Sequence, residues 1–362
     1  MLTRAEQWDN GEVKTIGIDC RFAGGQTGLG RFTRELTSAL IARGDHVTYV
    51  LFVRSASESW ISTLRGGSPF RIVTADIPHY SLAEHLRFPK IIASSACDIF
   101  LAMHFNVPLR CPVPFVAVIH DLILHASPGS ASLLRRAMYR MQMGYTIRAS
   151  LCLLPVSTYT ALEIGGAYGH SAFQKARVIG EGVGREFAPV PDAEVHRVLT
   201  KYGISQPYVL YVGSVKPHKH VDRLLQAWDA SGVADLAIVL VAPNGKRLAA
   251  PYDRARVLSP VDDDDLPCLY SGAQCFVTAS MHEGFCLPIA EALSCGCPVI
   301  APRSTAIPET ASGSACLVHG DVSSLAAAIA SPPKRPVRYS RPRWSAVAAR
   351  VSEALREVHP GR

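Results

Sequence analysis

The sequence predicts two doubly wound α/β domains, and three observations predict them. Apolar runs of strand length alternate with amphipathic stretches of helix length from Thr15 almost to the C-terminus, as in parallel strands joined by crossover helices. Two strands, residues 15–22 and 208–212, each run into a glycine turn and a helix start, one opening each half of the chain. Between the halves, residues 180–207 are rich in glycine, proline and charge, hold few apolar core positions, and read as a connection with a short helix near His196 to Tyr202.

The bulk properties agree. A chain of 362 residues suffices for two cores, and 48% hydrophobic with 19% charged residues describes a globular protein rather than a disordered one. The best apolar run, residues 236–242, is far shorter than the roughly 18 residues of a membrane span. Residues 1–14 are polar and show no leader pattern, so a cytoplasmic location is expected. Ten cysteines lie mostly in apolar segments without a C-x-x-C pair, and Cys295-Gly296-Cys297 lacks partners at zinc spacing, so reduced buried thiols are expected. The formal charge of +7 suits anionic partners; 8% aromatic residues without a basic stripe argue against nucleic acid.

In chain order, residues 15–22 (TIGIDCRF) predict a buried strand, residues 23–30 (AGGQTGLG) a glycine loop, and residues 31–42 a helix carrying Phe32, Leu36, Leu40 and Ile41. Strand, glycine loop and helix form a phosphate-binding architecture. A P-loop needs Lys-Ser/Thr where Arg31-Phe32 stands, and the dinucleotide fingerprint needs glycine where Thr33 stands. What remains is a backbone able to approach a ligand closely, with Gly28 and Gly30 as the expected contacts. Strands follow at 46–53, 71–77, 99–104 and 114–119, with a helix at 82–95. The 114–119 strand ends in His120-Asp121, at the strand end where open α/β sheets hold ligands; a capping Asp with an incidental His is the plainer alternative. Residues 130–150 predict a helix with Leu133, Leu134, Met138, Met141 and Tyr145 on one side and Arg135, Arg136, Arg140 and Arg148 toward another. Such a helix suits an anionic membrane surface or simple packing on the sheet. Strands at 151–156 and 175–179 complete seven for the first domain.

In the second half, strand 208–212 leads through Gly213-Ser214 to Lys216, His218 and Lys219 and a helix at 221–228. Lys219 at that helix start can neutralise a diphosphate, or it is merely solvated. A strand at 237–241 follows, then residues 254–260 and Asp262 to Asp265 before a helix at 266–271. Four aspartates invite a metal, but an acidic cluster ahead of a helix serves as N-cap and dipole partner, so no metal is expected. A strand at 275–278 feeds residues 281–301 (MHEGFCLPIAEALSCGCPVIA), where Glu283 occupies a turn before a helix at 288–294 closed by Gly296. Glu291 lies about two turns further on, roughly 12 Å away at helical rise. Between the carboxylates stand the amides of Gly284, Phe285, Cys286 and Leu287, at a helix start whose field favours anions. A diphosphate bound there, with hydroxyl-bearing rings accepted by the two carboxylates, has the shape of a sugar nucleotide; otherwise Glu283 is a solvated turn residue and Glu291 a surface one. A strand at 297–301, a helix at 321–330, a proline- and arginine-rich crossing at 331–343 and a helix at 344–358 end the chain.

Glu283 and Glu291, in the pattern E-G-F-x-L-P-x-x-E, closely resemble the donor-site signature of retaining glycosyltransferases of the GT-B class, family 4 (glycosyl transferases group 1). Gly28-Leu29-Gly30-Arg31-Phe32 resembles the acceptor-side glycine loop of that family, and the resemblance extends over residues 15–358. It implies a GT-B architecture, two Rossmann-like domains facing a central cleft: residues 1–183 on the acceptor side, a linker at 184–206, a donor-binding domain at 207–340, and a terminal helix, 341–362, crossing back. By the resemblance, His120, Glu283 and Lys219 are catalytic, with His120 on the donor sugar near the reacting carbon. Gly28, Gly30, Gly213, Ser214, Lys219, Leu258, Val261, Gly284, Phe285, Cys286, Leu287 and Glu291 are the donor-binding set, with residues 258–261 on the base and Glu291 on the ribose. The implied chemistry is metal-independent hexosyl transfer with retention, by front-face attack while the departing phosphate takes the acceptor proton.

Residues 118–128 (VIHDLILHASP) look most like bacterial polysaccharide mannosyltransferases, which points to GDP-mannose as co-substrate and a saccharide or lipid-linked saccharide as acceptor, with peripheral contact at the inner membrane face. One departure stands out: the family has Arg-Lys where this chain has His218-Lys219. An imidazole is mostly neutral at pH 7, so one phosphate charge is missing or comes from Lys216. Two rival readings are a sugar-nucleotide epimerase on the same fold and a non-catalytic partner that binds donor or glycan.

Overall fold

The computed structural model describes residues 14–25, 27–126, 132–335 and 339–358. Most of the expected leaderless N-terminus, the end of the 118–128 segment and the first residues of the 130–150 helix lie outside the described residues. The chain folds as two units, one running to Gly182 and resuming at Arg343, the other spanning Val183–Pro342.

The first unit is a parallel sheet flanked by helices. In chain order come β1 (Thr15–Asp19), α1 (Gly28–Ala42), β2 (Thr48–Val53), β3 (Phe70–Thr74), α2 (Leu82–Leu86), α3 (Phe88–Ser94), β4 (Ile99–Ala102), β5 (Phe115–Ile119), α4 (Ile123–Ala126), α5 (Leu133–Ala149), β6 (Cys152–Pro155), α6 (Thr158–Tyr168) and α7 (His170–Gln174). The strand order is β3-β2-β1-β4-β5-β6, so the chain reverses direction across the sheet beside β1. Alternate residues Val50 and Phe52 of β2, Phe100 and Ala102 of β4, and Ala117 and Ile119 of β5 pack with Phe88 and Ile92 of α3 and Met143 and Ile147 of α5. That spacing of two is the pleat turning one edge of each strand to the same core.

Two predicted elements of this unit differ. The helix expected at 82–95 is two helices broken at Arg87, with Pro89 in the first turn of the second, where a missing N–H is tolerated but a continuous ladder is not. The seventh strand at 175–179 is a single parallel bridge, Leu153↔Ala176. Leu153 exchanges bonds with Lys175 and Arg177, and Ile179 N–H reaches Pro155. The bond that would extend the ladder needs an N–H at position 155, and proline has none.

The second unit contains α8 (Asp192–Lys201), β7 (Tyr208–Val212), α9 (Val221–Ala230), β8 (Ala237–Val241), α10 (Lys246–Ala249), β9 (Ala255–Leu258), α11 (Leu266–Gly272), β10 (Cys275–Val277), α12 (Leu287–Ser294), β11 (Val299–Pro302), α13 (Ile307–Ala311), β12 (Cys316–Val318) and α14 (Val322–Ala330). Its parallel order is β12-β11-β10-β7-β8-β9, the same reversal again. Tyr208 and Leu210 of β7 pack into one core with Tyr270 and Ile289, while Val209 and Tyr211 pack into the opposite core with Leu224 and Trp228. Edge strands β9 and β12 add to the expected set; both are short and only partly buried, so neither shows a clear apolar run in the sequence.

Residues 184–206, expected as a linker, fold with this unit, because Phe187, Val198 and Ile204 are buried in its core. The helix there starts at Asp192 rather than His196, with Asp192 and Glu194 favouring its N-terminal turn. Helix α15 (Trp344–Glu357) belongs to the first unit. Trp344 meets Phe32 edge-on at 5.4 Å, and Ser352 Oγ donates to Asp45 at 2.9 Å. All ten cysteines are free thiols and eight are buried.

Candidate active site

In the second unit, β10 delivers the chain to a turn that ends at α12. Glu283 in that turn is buried, and both its carboxylate oxygens accept from Lys219 Nζ, at 2.6 and 2.7 Å. Lys219 closes a single 3-10 turn, Pro217–Lys219, on the loop leaving β7. The two loops are stitched together by backbone: Met281 N–H and Ser280 Oγ both donate to the His218 carbonyl, at 3.3 and 3.4 Å. Burial alone would raise the Glu283 carboxyl. The Lys219 ammonium, helped by the Ser280 hydroxyl and by His218, outweighs burial and holds it below the ordinary carboxylate range. Shielding from solvent strengthens the attraction within the pair relative to an exposed one, and the same shielding makes either charge costly to leave unpaired.

The turn is clamped by residues the sequence did not single out. Glu283 N–H donates to Thr305 Oγ1 at 3.0 Å, Ser304 Oγ to the Met281 carbonyl at 2.6 Å, and Thr310 Oγ1 to the Phe285 carbonyl. The available signal was the polar run Arg303-Ser304-Thr305 directly after an apolar strand. Cys286, at φ +73, is left-handed and buried, and it terminates the turn so that α12 begins at Leu287. The expected amides therefore divide: Gly284, Phe285 and Cys286 belong to the clamped turn, and only Leu287 to the helix. Burial, then the neighbouring Glu283 charge, pushes the Cys286 thiol well above its ordinary range.

Glu291 is neither exposed nor solvated. It is 2% exposed on α12, and its Oε2 accepts from the Tyr270 hydroxyl of α11 at 2.9 Å. Leu258, Val261, Phe285 and Leu287 lie half-buried against the same core. Gly213 N–H donates to Val241 at 3.0 Å, and a side chain at Gly213 would bring Cβ to 3.0 Å from the Tyr211 hydroxyl, which itself donates to the Ser214 carbonyl at 2.7 Å. Asp265 stands at the N-cap of α11 but makes no side-chain capping bond. Instead Lys201 Nζ binds Asp262 and Asp265 at 2.7 and 2.6 Å, and the Tyr202 hydroxyl donates to Asp265 at 2.8 Å. Among the described residues no three His, Cys, Asp or Glu side chains converge as a metal-ligand set.

In the first unit, His120 follows β5 at the sheet's carboxyl edge. Its Nε2 lies 3.0 Å from the Met103 carbonyl, which can only accept, so Nε2 carries a proton and Nδ1 faces Glu181 at 3.4 Å. Phe32 of α1 packs edge-on to the imidazole at 4.6 Å. Asp121 Oδ1 accepts from Ile123 N–H at 3.0 Å, so the Asp of the pair has the capping role. Glu181 is a partner the sequence reading left in the connection. The glycine loop also differs from expectation. Helix α1 begins at Gly28, because Thr27 caps it by accepting from Gly30 N–H at 3.1 Å. Gly30 is buried against its own loop, whereas Gly28 is exposed with nothing near its missing Cβ. The structure thus brings Lys219 and Glu283 together, sets Glu291 in the core behind the same turn, and places His120, Gly28 and Gly30 in the other unit.

Residues 26–187 match the model of Glycosyltransferase Family 4, and residues 206–331 that of Glycosyl transferases group 1. The O-antigen chain mannosyltransferase B of Escherichia coli is 31% identical over 229 residues, 59% of this chain and 60% of that protein. A GDP-mannose-dependent alpha-mannosyltransferase of Mycobacterium tuberculosis (strain CDC 1551 / Oshkosh) is 38% identical over 97 residues, 27% of this chain and 25% of the relative. The chain therefore spans less than two thirds of the length of either curated relative. Anabaena HepE, solved with UDP and glucose, superposes with a TM-score of 0.72 at 17% identity, covering 96% of this chain and 100% of that one, which shows a common GT-B fold. Since one model takes in the glycine loop and His120 and the other takes in Lys219, Glu283 and Glu291, the chain belongs to glycosyltransferase family 4.

Proposed function

We propose that the chain transfers a hexose from a nucleoside diphosphate sugar to a saccharide acceptor, with retention of configuration and without a metal, in the assembly of a surface polysaccharide. The observation that carries this reading is the Lys219–Glu283 pair. A bound diphosphate supplies an alternative anion for the Lys219 ammonium, and the released Glu283 carboxylate becomes an acceptor for sugar hydroxyls. The ammonium then opposes the charge that grows on the departing phosphate, which is where electrostatic help lowers the barrier. His120, its Nε2–H oriented by Met103, is the group on the first unit assigned to the donor sugar. Glu291, oriented by Tyr270, is assigned to the ribose. Ion pairing of Asp262 and Asp265 with Lys201 supports a reaction without a divalent cation.

GDP-mannose is the proposed donor, because mannosyltransferases recur among the relatives. A thermal-shift screen tests it. GDP and GDP-mannose are expected to raise the melting midpoint with increasing concentration, undiminished by a chelator, while UDP and UDP-glucose leave it unchanged. A shift with the uridine series alone replaces the donor, and no shift with either removes the transferase reading.

The proposed acceptor is saccharide or lipid-linked saccharide, met at the inner membrane face by a cytoplasmic protein. Helix α5 supports this: Leu133, Leu134, Met138 and Met141 are 79%, 72%, 55% and 56% exposed beside exposed Arg135, Arg140 and Arg148. Co-sedimentation with vesicles containing phosphatidylglycerol is expected at low salt and lost in 0.5 M salt. Equal recovery with zwitterionic vesicles, or none with either, removes the membrane from the reading.

A further inference from the structure

The carboxyl edge of the first sheet carries a second constellation besides His120. The loops leaving β1, β3 and β4 place Phe22, His79, Tyr80 and His104 in one ring cluster. Phe22 stacks on His79 with centroids 3.5 Å apart, and His104 lies 5.4 Å from Phe22 and 6.2 Å from the His120 ring. Tyr80 stands perpendicular to His104 at 6.1 Å, with its hydroxyl 3.5 Å from Nδ1. Most of this cluster is covered. Tyr80 is the exception, at 63% exposed.

The exposed tyrosine is held unusually firmly. Its backbone is left-handed, φ +58, a conformation that is strained for a side-chain-bearing residue. What sustains it is Glu84, fully buried, whose Oε2 accepts the Tyr80 N–H at 2.7 Å and the Asn106 amide at 2.6 Å. The other carboxylate oxygen accepts from Arg21 at 2.7 Å, and Arg21 is itself bound to Asp19 and lies over the Phe88 ring at 3.7 Å. A buried ionic network is thus built around the loop that presents one uncovered ring at the ligand-binding edge of the sheet. Core packing has no use for an exposed ring, and a solvated loop has no use for a buried carboxylate clamp.

We propose that Tyr80 is the stacking platform for a pyranose ring of the acceptor saccharide, and so a determinant of acceptor selection. The inference rests on the transferase reading above. A pyranose offers a face of C–H groups, weakly positive, which complements the negative face of an aromatic ring. A ring on a pinned backbone, with only two side-chain torsions to restrict, loses little entropy on binding.

The test uses the full chain, with saturation-transfer NMR on α-linked mannotriose and cellotetraose as the saccharide probes. Transfer to ring C–H protons of at least one probe is expected for the wild type, at least fivefold weaker for Tyr80→Ala, and restored in Tyr80→Phe, which keeps the ring and loses the hydroxyl. The nucleotide thermal shift is expected to be the same in all three proteins, which separates a failure of this inference from a failure of the transferase reading. Matching melting curves verify the fold, since the removed ring is exposed. Equal saccharide signals in wild type and Tyr80→Ala, or none in the wild type, overturn the proposal.

Discussion

Replacing Lys219 by alanine is expected to lower hexose transfer by roughly 10²- to 10³-fold, the scale of losing one preorganised charge at a departing group. The same substitution is expected to destabilise the second unit by about 2–3 kcal/mol at neutral pH, because it leaves Glu283 buried without its cation. Glu283 is 9% exposed and its two oxygens both bind the lysine, so water replaces the lost contacts poorly. The sign of the pH dependence identifies the cause. In the wild type the Glu283 pKa lies below its unfolded value, so the stabilisation is complete above about pH 4.3 and is lost as pH falls through the folded pKa. In the variant only the Ser280 hydroxyl and His218 still oppose burial, so the Glu283 pKa is expected to rise above its unfolded value and Glu283 to penalise folding increasingly as pH rises above about 4.3. Denaturant unfolding of the two proteins should show a gap that widens from pH 4.5 to pH 7.5. A gap of the same size at both values removes Glu283 as the cause. Lys219→Arg keeps the charge and is expected to recover most of the stability and only part of the activity, since a planar fork does not reproduce the ammonium geometry.

The second large effect is in the glycine loop. Gly30→Ala is expected to destabilise the first unit by about 2–3 kcal/mol. Its Cβ would stand 2.1 Å from the Gly25 carbonyl oxygen and 2.9 Å from that of Phe22. Both obstacles are backbone, so relief requires the loop to move away from the cap that Thr27 provides. Gly28→Ala is the contrast, two residues away. Nothing lies within 4 Å of its Cβ, it occupies the first helical position, and alanine there is expected to be neutral or stabilising by up to about 1 kcal/mol. Thermal and denaturant unfolding of both variants decide the matter. Gly30→Ala within 0.5 kcal/mol of wild type would mean that the loop's tight packing is not needed for folding.

The elements were legible where local pattern decides them. β7 and β8 fall on residues 208–212 and 237–241 as expected, since a run of buried β-branched and aromatic residues bounded by glycine or proline admits little else. Legibility failed where a single residue's chemistry acts through a neighbour. Pro155 withholds the donor that a seventh strand needs, Arg87-Phe88-Pro89 divides a helix, and Phe187, Val198 and Ile204 turn an apparent linker into core. The position of the four aspartates before α11 suggests caps, yet Lys201, sixty-odd residues earlier in the chain, takes Asp262 and Asp265.

The sequence by itself determined the two-part α/β character, the glycine turns, the E-G-F-x-L-P-x-x-E signature and hence the family. These follow from periods of two and 3.6 residues and from motifs contained in one turn, which need no knowledge of distant neighbours. Only the tertiary structure decided that Lys219 holds Glu283, that Thr305 and Thr310 clamp the turn between them, that Glu291 is buried against Tyr270, and that Glu84 fixes an exposed Tyr80. Most of these join residues 21 to 64 positions apart. Tyr80 and Glu84 are near neighbours, yet their bond depends on Arg21 and Asn106, brought in by the loops that follow β1 and β4. Burial and pairing are properties of the space where chain segments meet, so a side chain's charge state and partner follow from the sheet order that brings those segments together.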